Sequence, residues 1–122
     1  MANNTAVSDS LKKAYKLLSG GRNWIKNRAA RDSKGYTVGP ATPEACRYCL
    51  DGALISVCGG NDVYLYTCMQ NAIRRALPSA WFGSYINYND DLRCEWKHIE
   101  ALLFKAIRMQ VEFENDNKRY RT

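Results

Sequence analysis

The sequence predicts a mainly α, compact single domain of about four helices with a small β-hairpin insert near residues 23–39. Three observations carry that expectation. Apolar residues recur at three- and four-residue spacing in several stretches, which places them on one face of a helix. Glycine pairs and a proline stand where those stretches stop, at Gly20-Gly21, Gly59-Gly60 and Pro78. The length of 122 residues suits one hydrophobic core, and 46% hydrophobic with 25% charged residues is ordinary globular usage.

Residues 1–7 read as a flexible leader, and the domain proper is expected over 8–114. Ser8 is placed to cap the first helix, whose stripe is Leu11, Ala14, Tyr15 and Leu18. Asp32-Ser-Lys-Gly35 has the acidic opening and glycine close of a tight turn, with Trp24 as the anchor of the hairpin. Thr42-Pro43-Glu44 reads as a helix start: a capping hydroxyl, a proline at the first helical position and an acid in the first turn. That helix would bury Cys46, Cys49, Leu50, Ala53, Leu54 and Val57, and Gly52 inside it points to close approach of another backbone. Asn61 opens a third helix with Leu65, Cys68, Met69, Ala72, Ile73, Ala76 and Leu77 on its inner face. Asn89, with Asp90 and Asp91, is expected to open the last helix, whose stripe is Leu92, Trp96, Ile99, Leu102, Leu103, Ala106, Ile107 and Val111. Residues 115–122 are polar and basic and read as a flexible tail.

Charge is unevenly placed. Residues 1–34 hold eight Lys/Arg against Asp9 and Asp32, so the whole formal charge of +6 lies there. Such a segment attracts nucleic acid or an acidic protein surface, or serves as a solvated helix face. The five cysteines are odd in number and fall mostly at apolar helical positions, the pattern of reduced packing thiols. No apolar run approaches the span of a bilayer and the first residues lack the features of an export signal. The expectation is a soluble protein of the cytoplasm, with no membrane partner and no cofactor.

Three constellations could carry a function. Lys26, Arg28, Arg31 and Lys34 beside Trp24 and Tyr36 could form a cation-and-aromatic surface for phosphates, bases or an acidic partner, or could brace the hairpin. Trp81, Phe82, Tyr85 and Tyr88 form an aromatic loop, either a recognition patch or a lid folded over the core. Cys46 and Cys49 with Cys94 and His98 have spacings that would place each pair on one helical face, a weak zinc-site alternative. No nucleophile elbow or phosphate loop is present, and His98 is the sole histidine, so no catalytic residue is assigned.

Trp24, Ala29-Ala30-Arg31-Asp32 with Gly35 and Val38, Pro43, Cys49 with Gly52-Ala53-Leu54, Ile86 and Asn89-Asp90 form a longer pattern. Across roughly residues 10–110 it resembles an uncharacterised family of small phage and bacterial proteins, a domain of unknown function. Tyr88 stands where that pattern has Trp, and Cys46 falls outside it. The resemblance implies a shared fold and a phage or mobile-element setting, and no particular activity. With the lack of catalytic motifs it leads to a non-enzymatic protein that binds a host protein stoichiometrically, such as an inhibitor of anti-CRISPR type. A nucleic-acid-binding module using the basic N-terminal third, and a small zinc-binding protein, are the alternatives.

Overall fold

The computed structural model describes residues 6–120, those of 118–120 by backbone alone. Among the described residues five α-helices gather around one core: α1 (Val7–Leu17), α2 (Leu50–Val57), α3 (Val63–Ala76), α4 (Tyr85–Asp90) and α5 (Trp96–Tyr120). Two short antiparallel strands, β1 (Ala30–Arg31) and β2 (Arg47–Tyr48), pair Ala30 with Tyr48 and Arg31 with Arg47. The expected mainly helical domain with a small sheet is what forms. Residues 1–5 and 121–122, parts of the expected leader and tail, lie outside the described residues.

The helical stripes pack as their spacing requires. Leu11, Ala14 and Leu18 of the first stripe, Met69, Ala72, Ile73 and Ala76 of α3, and Ile99, Leu102, Leu103 and Ala106 of α5 are buried in one cluster. Around it α1 packs on α2 and α5, and α3 packs on α5. Among the described residues no helix is long and apolar enough to cross a membrane.

Several local expectations are corrected. Ser8 does not cap α1, whose N-cap is Ala6, two residues earlier, with no side-chain cap hydrogen bond. Ser8 is instead a donor, giving its amide (3.1 Å) and hydroxyl (2.6 Å) to the carboxylate of Glu114. A carboxylate from the far end of the chain thus meets an amide that α1 cannot satisfy itself. The backbone of 115–120 continues α5 to Tyr120.

Thr42-Pro43-Glu44 forms turns and not a helix start, and Thr42 Oγ1 donates to the Gly39 carbonyl at 2.7 Å. Distant backbone partners decide the outcome. Cys46 N–H donates to Arg31 O, Tyr48 N–H to Asn23 O and Cys49 N–H to Ala29 O, while Ile25 N–H donates to Tyr48 O. These bonds hold 46–49 extended, so α2 begins only at Leu50 with the Cys49 sulfur accepting from Gly52 N–H at 3.2 Å. The Asp32–Gly35 turn forms as expected, with a bridge between Arg31 and Thr37. The two-residue ladder itself joins β1 to β2, beyond the 23–39 segment.

Asp62, not Asn61, caps α3 by accepting from Leu65 N–H at 3.0 Å. Asn89-Asp90 closes α4 and does not open the last helix, which starts at Trp96. Leu92 lies in the intervening turn and is 98% exposed, so it is no part of the core.

Candidate functional site

Helix α4 is a single short element with two different sides. Asn89 points inward and is buried. Its Oδ1 accepts from the Trp24 indole N–H (2.7 Å) and the Leu50 backbone N–H (3.0 Å). Its Nδ2 donates to the Ile25 carbonyl at 3.2 Å and to Asp90 Oδ1 at 2.9 Å, and Asp90 Oδ1 also accepts the Asn27 N–H at 2.8 Å. One amide therefore joins α4, the first amide of α2 and the segment after Trp24, with all its hydrogen-bonding capacity met. Gly52 completes the junction. A Cβ there would overlap the Ala29 carbonyl oxygen, the close backbone approach expected from the sequence.

Tyr85 also points inward and is 1% exposed. Its hydroxyl and that of Tyr66 both donate to Asp51 Oδ1, at 2.5 and 2.8 Å, and Gln70 Nε2 donates to Tyr85 at 2.9 Å. Burial, with the neighbouring Asp51 carboxylate next, pushes Tyr66 up to about 12 and Tyr85 further still. Both phenols stay protonated donors, which suits bracing of α2 on α3 and α4.

The outward side of α4 faces a cleft. Trp81, Tyr88, Asp91, Arg93, Cys94 and His98 line a space of about 120 Å³. Trp81 and Tyr88 meet edge to face with ring centroids 5.2 Å apart. Tyr88 and His98 also line an adjoining space of about 180 Å³, with Pro78, Ala101, Leu102 and Lys105. The two spaces share Tyr88 and His98 in their linings, between the aromatic loop and the start of α5, and together they are called the groove. Two exposed apolar side chains belong to the segments that wall it. Phe82, next to Trp81, is 94% exposed, and Leu92 sits between Asp91 and Arg93. Phe82 also holds φ +51° and ψ +37°, a left-handed conformation uncommon for a bulky residue.

The chemistry of the groove is that of recognition. Cys94 is a buried thiol raised above its ordinary value, chiefly by desolvation, so it is no activated nucleophile. His98 Nδ1 accepts from the Glu95 N–H at 2.9 Å, which leaves the proton of the neutral ring on Nε2. Arg93 grips Asp91 at 3.1 Å, and that hydrogen bonding holds the Asp91 carboxyl below the usual carboxylate range.

The structure divides the other expected residues. Trp24 is half-buried at the Asn89 junction and packs near Trp96. Lys26 turns inward, with Nζ on the Asp91 carbonyl at 2.7 Å and 5.5 Å from the Trp24 ring centre. Arg28 and Arg31 donate to the Asn27 and Gly35 carbonyls, and Arg31 so braces the turn. Lys34 and Tyr36 alone of that set are exposed without a side-chain partner. In the aromatic loop Trp81 and Tyr88 line the groove, Phe82 is exposed and lines neither space, and Tyr85 is withdrawn into the core. Cys46, Cys49, Cys94 and His98 are not assembled: among the described residues no group of three His, Cys, Asp or Glu side chains is placed to hold a metal ion. Cys46 and Cys49 do not share a helical face, because Cys46 precedes β2 and Cys49 caps α2.

Sequence reasoning missed Asp91, Arg93 and Lys105 as groove residues. The only local signal, for Asp91 and Arg93, was an Asp-Leu-Arg run with an apolar residue that fits no stripe once the helix start moves to Trp96, and Lys105 carried none. Residues 2–109 match a family of unknown function (DUF6197), and the chain belongs to that family. No curated protein and no solved structure matches it.

Proposed function

We propose that this member of the DUF6197 family is a non-enzymatic protein-binding module that engages its partner through the groove between the aromatic loop and α5. One observation carries the reading. Phe82 is held in a left-handed conformation with 94% of its surface in water, next in sequence to Trp81 of the aromatic-walled groove. A strained, exposed aromatic gains nothing from the fold of its own chain, and it suits insertion into a partner. Aromatic anchors of this type dominate binding hot spots. The raised thiol of Cys94 and the engaged Nδ1 of His98 support recognition over nucleophilic chemistry. A phage or mobile-element origin, which the family resemblance implies, makes a host protein the natural target. Stoichiometric inhibition of a defence effector, as by an anti-CRISPR protein, is the finest form of this reading.

A second reading rests on α1, where Lys12, Lys13 and Lys16 are exposed and Lys13 and Lys16 line an open hollow with Leu17, Ser56 and Val57. This face supports electrostatic contact with nucleic acid, which added salt would weaken steeply. Tagged wild type and Phe82→Gly are passed through host lysate, half of it nuclease-treated. A protein retained by wild type in both halves and lost by Phe82→Gly is the expected result. Equal retention by the two proteins would sink the groove reading. Retention that nuclease abolishes would transfer the function to α1.

A further inference from the structure

The groove offers hydrogen-bond donors without acceptors to match, and this sets the chemistry of what it binds. Three groups are available. His98 donates through Nε2 because Nδ1 is taken by the Glu95 amide. Lys105 has no ion pair among the described residues, and Trp81 Nε1 has no protein acceptor among them. The acids beside them are already neutralised. Asp91 is held by Arg93 through 3.1 and 3.3 Å contacts, and Glu95 lies 3.8 Å from Lys97. The remaining surface is apolar or aromatic, from Pro78, Trp81, Tyr88, Ala101 and Leu102.

We propose that the groove binds an acidic segment of a partner protein, an apolar or aromatic side chain seated against Trp81 and Tyr88 with an adjacent carboxylate on His98 and Lys105. This deepens the protein-binding reading of the same groove and rests on it. An unsatisfied donor in a half-enclosed apolar setting selects for an acceptor, and a charged acceptor makes the stronger bond. Charge complementarity therefore favours a peptide carboxylate, and the narrow aromatic-walled space receives one side chain beside it. A nucleic-acid strand fits less well. Its cationic side chains are Lys105 and an Arg93 already paired with Asp91, and most of the remaining lining is apolar, whereas a strand-binding channel tracks the backbone with positive charge along its length.

The test uses a fluorescein-labelled pentapeptide with one phenylalanine between aspartates, and its counterpart with asparagines, titrated by fluorescence polarisation. The aspartate peptide is expected to bind about tenfold tighter than the asparagine peptide, the ratio expected of a charge-assisted bond. Lys105→Glu is expected to weaken it about tenfold or more, and Lys105→Gln by less. Lys34→Glu, the same charge reversal at an exposed position of the Asp32–Gly35 turn outside the groove, is expected to leave affinity unchanged. Circular dichroism of the three variants verifies that each is folded. Equal affinity for the two peptides, no binding of either, or equal losses with Lys34→Glu would overturn the proposal. Displacement of the peptide by a single-stranded oligonucleotide would overturn it in favour of a nucleic-acid ligand. Should the peptide fail while Phe82→Gly still loses the lysate partner, the acidic chemistry is wrong and the protein-binding reading stands.

Discussion

Asn89 and Tyr88 are neighbours in one short helix, yet they belong to regions built on opposite principles. Around Asn89 every hydrogen-bonding atom is used: Trp24, Ile25, Leu50 and Asp90 account for its amide, and Gly52 lies against Ala29 with no room for a methyl group. Around Tyr88 the side chains line open space, the donors lack acceptors, and Phe82 and Leu92 stand almost fully in water. A saturated buried network specifies one arrangement of the chain, because any gap in it leaves a desolvated polar group. The open edge contributes little to folding and is free to serve a partner. The residues that carry the family resemblance fall largely on the first side: Trp24, Ala29, Cys49, Gly52 and Asn89-Asp90 meet at the junction. That motif describes how this fold is held together.

The contrast can be broken at its strongest point first. Gly52→Ala forces a Cβ into the Ala29 carbonyl, and overpacking against backbone is expected to cost about 3 kcal/mol or more. Equilibrium denaturation measures it, and a cost below about 1 kcal/mol would mean that the junction yields. Next, Asn89→Ala leaves the Trp24 indole N–H, the Leu50 amide and the Ile25 carbonyl without their partner. A loss of about 3 kcal/mol is expected from stranding such groups, read from the same denaturation curves.

Alkaline pH sharpens the comparison through the core. Burial raises Cys49 and Cys58 from 9.0 to about 11, and raises Tyr66 from 10.0 to about 12. In each case the native state holds its proton more tightly than the unfolded chain. Their contribution is therefore fully present below the unfolded values and is lost as pH rises through the folded ones. The thermal midpoint is expected to fall progressively from about pH 9 to 12, with Cys58→Ser flattening the early part of that fall. An unchanged midpoint across that window would show these groups to be solvated.

The smallest expected effect on stability is at the open edge. Phe82→Gly removes left-handed strain of about 1 kcal/mol and adds a similar flexibility cost in the unfolded chain, so the net change should stay within about 0.5 kcal/mol. The partner should be lost all the same. A large destabilisation would place Phe82 among the groups that hold the fold together.

The sequence by itself determined the helical core. The stripes of α1, α3 and α5, the stop at Pro78 and the Asp32–Gly35 turn depend on neighbours a few residues apart, and that information is local. The approach of another backbone at Gly52 was legible too, since a glycine inside a helical pattern needs such a reason. Only the tertiary structure decided the rest. Thr42-Pro43-Glu44 has every local mark of a helix start, yet backbone partners near residues 23–31 hold 46–49 extended. Asn89 resembles a helix cap, but Trp24, Ile25 and Leu50, three of its partners, lie 39 to 65 residues away, and no local pattern names them. The groove has the same origin, because Trp81, Asp91, Arg93, His98 and Lys105 become neighbours only when α4 docks and moves the start of α5 to Trp96. Periodicity encodes which face of a helix is buried, whereas the partner of a polar group is chosen by packing across the whole chain.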